Sequence, residues 1–323
     1  MNDGRNGTAA SAARQPLPAG NPGGPRLLVG SPIAAGIRAE LVDDFARFKD
    51  RWGYSPTLAV VLVGADAPSA VYLGQILKTC ERVGVEGRLV EIGSNASPDA
   101  ICDEIEKLNT DPAVAGIIVQ MPLPARIPLR TVIDSIDPGK DIDGIHPRNA
   151  GLLSLGYDGF LPATAQASVE ILKRSGIEIA GKRVVVIGRS NVVGKPAALL
   201  LIREHGTVTV LHSKTRDLAH HTRDAEILIV AAGRPGLVTG EMLSPGVVVV
   251  DVGINVVSDG NGGEKLVGDV DFETAKDVVS AITPVPGGVG PLTNALLLSH
   301  LLRAATDQAE RTARLRSVAA RDD

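Results

Sequence analysis

The sequence predicts a two-domain α/β protein built on mostly parallel sheets, and three features of the 323-residue chain carry that reading. The length fits two domains of about 150 residues each. Helix-spaced and strand-like segments alternate from Leu27 onward. The strand-like segments are continuous apolar runs, as expected of strands covered on both faces.

The elements follow in order. Ile33 to Arg51 reads as a helix, with Ile37, Leu41, Phe45 and Phe48 at helical spacing. Thr57 to Val63 (TLAVVLV) is a buried strand ended by Gly64. Pro68 to Val83 returns to a helical pattern that Gly84 stops, and Gly87 to Ile92 is a second strand. Pro98 to Leu108 is a helix and Val114 to Val119 (VAGIIV) a third strand. Strand–helix–strand succession requires crossover connections and hence parallel pairing. Two Pro/Gly-rich stretches follow, Gln120 to Pro128 and Asp137 to Asn149. Rigid loops just after strands are where α/β proteins place ligand contacts. Ala163 to Ser175 reads as a linking helix.

A second α/β unit then opens with the strand Arg183 to Ile187 (RVVVI), the helix Lys195 to His205 and the strand Thr207 to Leu211 (TVTVL). Glu226 to Ala231 and Val247 to Val252 add strands, and Ala295 to Glu310 forms a terminal helix. The basic remainder reads as a solvated end. The domain limits are therefore a disordered tail over 1–26, a first domain over 27–160 completed by helix 295–310, and a second over 161–294.

Composition narrows the function. Hydrophobic residues make up 44% and charged residues 22%, which suits a globular core. Aromatics are only 2%, so Val, Leu, Ile and Ala must fill that core. A net charge of -4 offers no general attraction to nucleic acid or anionic membranes. No segment nears the ~18 apolar residues of a membrane span. Cys80 and Cys102 are too few for a disulfide framework and fit a reducing compartment. The Pro- and Gly-containing first 26 residues lack the apolar run of a secretory signal, so the cytoplasm is the expected location.

The segment Gly188 to Pro196 (GRSNVVGKP) lies between a buried strand and a helix. Glycines there let backbone approach a pyrophosphate, which the helix N-terminus then attracts. Ser190 stands at the second Gly position of the generic fingerprint, and Gly194 is its last glycine. The following strand ends in His212-Ser213-Lys214 instead of the acid that holds an NAD ribose. Arg189, Ser190 and Ser213 can instead cradle a 2′-phosphate, so NADP is expected on a Rossmann-type domain.

Together these stretches resemble the bifunctional methylenetetrahydrofolate dehydrogenase/cyclohydrolase (FolD) family over nearly all of Leu27 to Leu301. The landmarks are LAVVLVGADAPSAVY (58–72), VQMPLP (119–124), KDIDGIHPRNAG (140–151), GKRVVVIGRSNVVGKP (181–196), VTVLHSKT (208–215), VVVVDVGIN (247–255), GDVDF (268–272) and ITPVPGGVGPLT (282–293). The resemblance implies a homodimer with a cleft between domains, the first binding folate and the second NADP. It implies oxidation of 5,10-methylenetetrahydrofolate to the methenyl form, followed by hydrolysis to 10-formyltetrahydrofolate, with no metal required.

By the same resemblance, Tyr72 packs on the folate ring, Asp143 holds the pterin edge and Gln120 lines the active site. Pro286, Gly287 and Gly288 lie beside the p-aminobenzoate portion, and Ile254 faces the nicotinamide. Asp141 reads as a turn residue; His146, His212, His220 and His221 receive no chemistry. The chain departs from the family twice. Ile76 stands four residues after Tyr72, where the family has an active-site lysine on the same helical face. Lys78, six residues after Tyr72, points about 120° away on an ideal helix. PATA (162–165) replaces the family's PCTP, with Gln166 and Ala167 following. The expectation is therefore a dehydrogenase with cyclohydrolase weakened or lost; a fully bifunctional enzyme and a non-catalytic folate- and NADP-binding paralogue remain the alternatives.

Overall fold

The computed structural model describes residues 23–64, 67–260 and 263–322. Residues 1–22, most of the expected tail, lie outside that range. Arg26–Leu27 form a short strand, β1. It is held by Arg26 N–H donating to Ser280 O (3.0 Å) and Leu28 N–H to Ile282 O (2.8 Å). Two paired residues are too few to leave a sequence pattern, and their partners are about 250 residues away.

The first domain then runs α1 (Gly30–Trp52), β2 (Thr57–Val63), α2 (Ala67–Val83), β3 (Glu86–Ile92), α3 (Pro98–Thr110) and β4 (Val114–Val119). Its three strands form a parallel sheet in the order β3-β2-β4. Every residue of β2 and β4 is buried, as their unbroken apolar runs require. Two further helices flank the Pro/Gly-rich stretches: α4 (Leu129–Asp134) lies between them, and α5 (Pro147–Leu155) begins at the end of the second. Pro147 opens α5, where its missing N–H costs nothing. His146 caps that helix, its Nδ1 accepting from Arg148 N–H at 3.0 Å.

The second domain follows α6 (Ala163–Arg174) with β5 (Arg183–Ile187), α7 (Gly194–Arg203), β6 (Thr207–Leu211), α8 (Leu218–Arg223), β7 (Ile227–Val230) and β8 (Val248–Asp251). A hairpin, β9 (Asn255–Ser258) with β10 (Glu264–Val267), precedes α9 (Phe272–Ala275), β11 (Ala281–Ile282) and the long α10 (Val289–Asp322). Its sheet is parallel throughout, in the order β1-β11-β8-β7-β5-β6. The chain leaves β5 to one side for β6 and returns to the other for β7. That reversal opens a crevice at the C-terminal end of β5, where doubly wound folds bind ligands.

Helix α10 joins the domains. It starts six residues before the expected Ala295, because Pro291 is tolerated in a first helical turn. It packs on α1, β4 and α6, and its Leu297, Leu301 and Ala304 share one buried core with Leu58 of β2 and Leu201 of α7. Beyond Glu310 the helix continues to Asp322 with residues 311–319 exposed.

Candidate active site

Two loops and one helix of the first domain carry its candidate site residues. The loop after β4 begins at Gln120, whose backbone N–H donates to Val61 O (2.8 Å) and whose side-chain amide donates to Met121 O (2.9 Å). The Met121–Pro122 peptide is cis. The loop after α4 is built by two buried residues. Lys140 is 6% exposed and donates its ammonium to the C-terminal carbonyls of α3, Leu108 O (3.0 Å) and Asp111 O (2.8 Å). Asp141 is fully buried and accepts from Ile145 N–H (3.2 Å), His146 N–H (2.8 Å) and the Asn149 amide (2.8 Å). Asp141 is thus the turn residue expected of it, and more, since its three bonds organise the loop that carries Asp143.

Asp143 itself is half-buried. Burial pushes its carboxyl up to about 7; the neighbouring Asp141 charge adds to the rise, and the nearby Ala163 N–H opposes it. Gly144 follows at φ 69°, and a Cβ there would lie 2.4 Å from the Leu161 carbonyl carbon. No other residue lets this loop lie against the start of α6.

Helix α2 supplies the third wall. The side chain of Tyr72 lies outside the described residues, as does that of Gln75. Ile76 is 3% exposed and extends the buried stripe formed by Leu73, Cys80 and Val83. Lys78 faces solvent.

On the second domain, the turn after β5 is shaped by glycines. Gly188 has φ 120°, and a Cβ there would sit 2.1 Å from Ala231 O. A Cβ on Gly194 would sit 2.2 Å from Gly188 O. The Ser190 hydroxyl accepts from Val193 N–H (3.0 Å) and Gly194 N–H (3.4 Å), so it caps α7. That bond adds a local task to the 2′-phosphate role expected for Ser190. Arg189, Ser213 and Lys214 are exposed beside the crevice. The His212 N–H donates to Thr215 Oγ1 (2.9 Å), and Lys214 N–H to His212 Nδ1 (3.1 Å), closing the turn after β6. With glycine cradle, helix N-terminus and basic rather than acidic β6 end, these residues fit a phosphorylated dinucleotide.

Two buried aspartates that the sequence reading passed over hold the neighbouring loops. Asp251 accepts from the N–H groups of Gly253 (3.0 Å), Asp269 (3.0 Å) and Val270 (2.9 Å). Asp269 accepts from those of Ala232 (2.6 Å), Gly233 (2.8 Å) and Arg234 (2.8 Å), and from the Asn255 amide (2.9 Å). Burial, with Asp269 nearby, raises the Asp251 carboxyl to about 6. Their only trace in the sequence is the glycine beside each: a Cβ on Gly253 would lie 2.2 Å from Asp269 Cγ, and one on Gly268 would lie 1.8 Å from Asp251 Oδ2. The network presents Ile254 outward at 62% exposure, with its Cδ1 3.9 Å from the Cβ position of Gly290.

The PVPGGVGP segment closes the same region. Gly288 N–H donates to Pro284 O (2.9 Å), and Gly30 N–H donates to Gly287 O (3.0 Å). A Cβ on Gly30 would lie 1.9 Å from Gly288 O, so α1 starts hard against the loop. Pro286 is exposed, Gly287 partly so, and Gly288 is buried. Of the three, only Pro286 and Gly287 are accessible at the tip of this loop, while Gly288 serves its backbone path.

Both domains match known protein families. Residues 28–143 match the tetrahydrofolate dehydrogenase/cyclohydrolase catalytic domain, and residues 162–309 its NAD(P)-binding domain. The chain is 46% identical over 289 residues to the bifunctional protein FolD of Aromatoleum aromaticum, covering 90% of this chain and 98% of that one.

The chain belongs to the tetrahydrofolate dehydrogenase/cyclohydrolase family.

The FolD of Geobacillus thermodenitrificans is 48% identical over 280 residues, covering 87% of this chain and 97% of the relative. Among solved structures, the bifunctional FolD of Campylobacter jejuni superposes with a TM-score of 0.83 at 42% identity, covering 87% of this chain and 98% of that one. The Trypanosoma brucei FolD, solved with NADP and an inhibitor, gives 0.84 at 38% identity, covering 90% and 99%. The α/β architecture read from the sequence is thus that of the family. Among the described residues no helix is long and apolar enough to cross a membrane.

Proposed function

We propose that this family member is an NADP-dependent 5,10-methylenetetrahydrofolate dehydrogenase whose cyclohydrolase step is weak or absent. The observation that carries the second half is Ile76, a buried aliphatic side chain where the family resemblance calls for an active-site lysine. The first half rests on the crevice after β5 and on its relatives, one of which was solved with NADP.

When bound, NADP+ supplies the hydride acceptor for the one-carbon methylene group. The protein's part is to align two rings and keep water away. Gly188 and Gly194 let the turn fold tightly onto the start of α7, whose N-terminus takes the pyrophosphate, and Arg189, Ser190 and Ser213 hold the 2′-phosphate. Ile254 presents an apolar surface to the nicotinamide. Across the cleft, Asp143 accepts from the amino-pyrimidine edge of the pterin, Tyr72 packs on its ring, and Gln120 lies beside the reacting carbon. Pro286 and Gly287 border the p-aminobenzoate portion.

Hydride transfer needs this alignment but no titratable group at position 76. Hydrolysis of the methenyl cation needs a group that moves a proton to or from water, and Ile76 offers none. Lys78 faces solvent on the same helix and does not replace it. The homodimer and the cytoplasmic location implied by the resemblance belong to this reading, the first checked by sedimentation.

The test supplies 5,10-methylenetetrahydrofolate with NADP+, following NADPH and methenyl-folate together, and then methenyl-folate alone. NADPH formation with accumulating methenyl-folate and no enzymatic hydrolysis is the expected result. Rapid hydrolysis would restore the bifunctional reading. Ligand binding without turnover would make this a non-catalytic relative.

A further inference from the structure

The buried imidazole of His300, on α10, ties together the two segments that carry and flank Asp143. His300 is 8% exposed. Its Nδ1 lies 2.7 Å from the carbonyl oxygen of Ile142, the residue just before Asp143. Its Nε2 lies 2.9 Å from the side-chain carboxamide oxygen of Gln166, one turn into α6. Three residues before Gln166, the backbone N–H of Ala163 lies beside the Asp143 carboxylate and favours its ionised form. One ring therefore braces Asp143 from both directions, through its own main chain and through the helix that starts beside it.

The surroundings make this contact rigid. The Phe160 ring packs on the imidazole with centroids 5.7 Å apart, and the Arg303 guanidinium lies over that same Phe160 ring, 5.2 Å from its centroid. Arg303 also donates to Gly159 O (3.2 Å). Gly144 has no room to move, because the Leu161–Pro162 backbone fills its Cβ position. Burial pushes the His300 ring down to about 4, so it is neutral at working pH. A carbonyl oxygen can only accept, so the single ring proton sits on Nδ1 and Nε2 is bare. Rotated by 180°, which exchanges its oxygen and nitrogen, the Gln166 carboxamide donates to that bare Nε2, and the two bonds then fix the tautomer. Gln166 lies in the segment where this chain departs from the family pattern.

We infer that His300 and Gln166 form a positioning pair that sets the folate-facing carboxylate of Asp143 in the cleft. This rests on the folate reading of Asp143 given above. Neither residue touches substrate; both act through residues 142 and 163. Loss of the pair lets the Asp143 loop shift by a few tenths of an ångström, which weakens folate binding while leaving the dinucleotide crevice as it was.

The test is a set of four variants assayed for dehydrogenase activity with both substrates varied. His300→Phe keeps the ring volume and removes both bonds. It should raise the KM for methylenetetrahydrofolate about tenfold, the effect of a lost buried hydrogen bond, with the KM for NADP+ within about twofold. His300→Asn keeps an amide N–H that reaches Ile142 O and should recover most of that loss. Gln166→Leu should fall between wild type and His300→Phe. Asp143→Asn is the control on the underlying reading. If Asp143→Asn leaves the folate KM unchanged, the folate assignment of Asp143 fails and the pair's role fails with it. If Asp143→Asn raises that KM but His300→Phe does not, or if His300→Phe raises both KM values equally, the pair is only structural. Should His300→Phe not fold, an unchanged folate KM in Gln166→Leu overturns the inference by itself.

Discussion

Replacing Ile76 by lysine should create hydrolysis without removing hydride transfer, and the structure sets the scale of both effects. Ile76 is 3% exposed between Leu73 and Cys80 on the buried stripe of α2. A lysine stem has as many carbons as the isoleucine side chain it replaces, so apolar contact is largely kept. The cost comes from the ammonium. Among aliphatic neighbours its pKa falls, and each unit of depression costs about 1.4 kcal/mol. A fall of two to three units therefore destabilises by roughly 3–4 kcal/mol, within the ~5–15 kcal/mol of an ordinary domain. The same depression brings the amine near neutrality, where a general base works best. A positioned acid/base is worth ~10²–10⁴ in rate, which corresponds to lowering the barrier by about 3–5 kcal/mol. The assay is the loss of methenyl-folate absorbance under enzyme, beside NADPH formation and a denaturant titration of the same protein. Ile76→Met, similar in volume and without a proton to move, is the control and should stay inactive in hydrolysis. A folded, dehydrogenating Ile76→Lys protein that hydrolyses no faster than wild type would refute the reasoning, as would a wild type that already hydrolyses rapidly.

Other perturbations follow from the same geometry. Gly188→Ala forces a Cβ to within 2.1 Å of Ala231 O at φ 120°, so NADP+ binding by titration should weaken at least tenfold and stability should drop by about 2 kcal/mol or more. Asp269→Asn turns an amide N–H toward backbone donors that Asp269 now accepts from; we expect a loss of about 2–4 kcal/mol in denaturant unfolding and a weaker NADP+ affinity. The pH dependence has a definite sign. Asp143 is raised to about 7 and Asp251 to about 6, so each favours the folded state in its protonated form. That contribution is full below the ordinary carboxylate range near 4 and is lost as pH rises through 6–7. The Tm of the ligand-free protein should therefore fall as pH rises to about 7, and Asp143→Asn should reduce that slope, leaving the Asp251 share. Folate binding uses the ionised Asp143 and should strengthen over the same interval; a folate KM flat across it would contradict the role given to Asp143.

Much of the protein was determined by its sequence alone. The unbroken apolar runs of β2, β4 and β5 can only be strands covered on both faces, and with helices between them they require parallel sheets. Gly188 and Gly194 announce a close backbone approach, and Asp143 sits in a motif dense enough to mark a ligand loop. These features are legible because each depends on neighbours in the chain. Only the tertiary structure decided the rest, since it depends on partners far apart in sequence. β1 exists because Leu28 finds Ile282. Asp251 and Asp269 become the supports of two cofactor-side loops because β7, β8 and the GDVDF turn converge on them. His300 reads as one polar residue in an apolar helix until folding brings Ile142 and Gln166, 158 and 134 residues earlier, within reach of its two nitrogens. A hydrogen bond is satisfied in space, not along the chain, and an imidazole removed from water must find both partners wherever the fold supplies them.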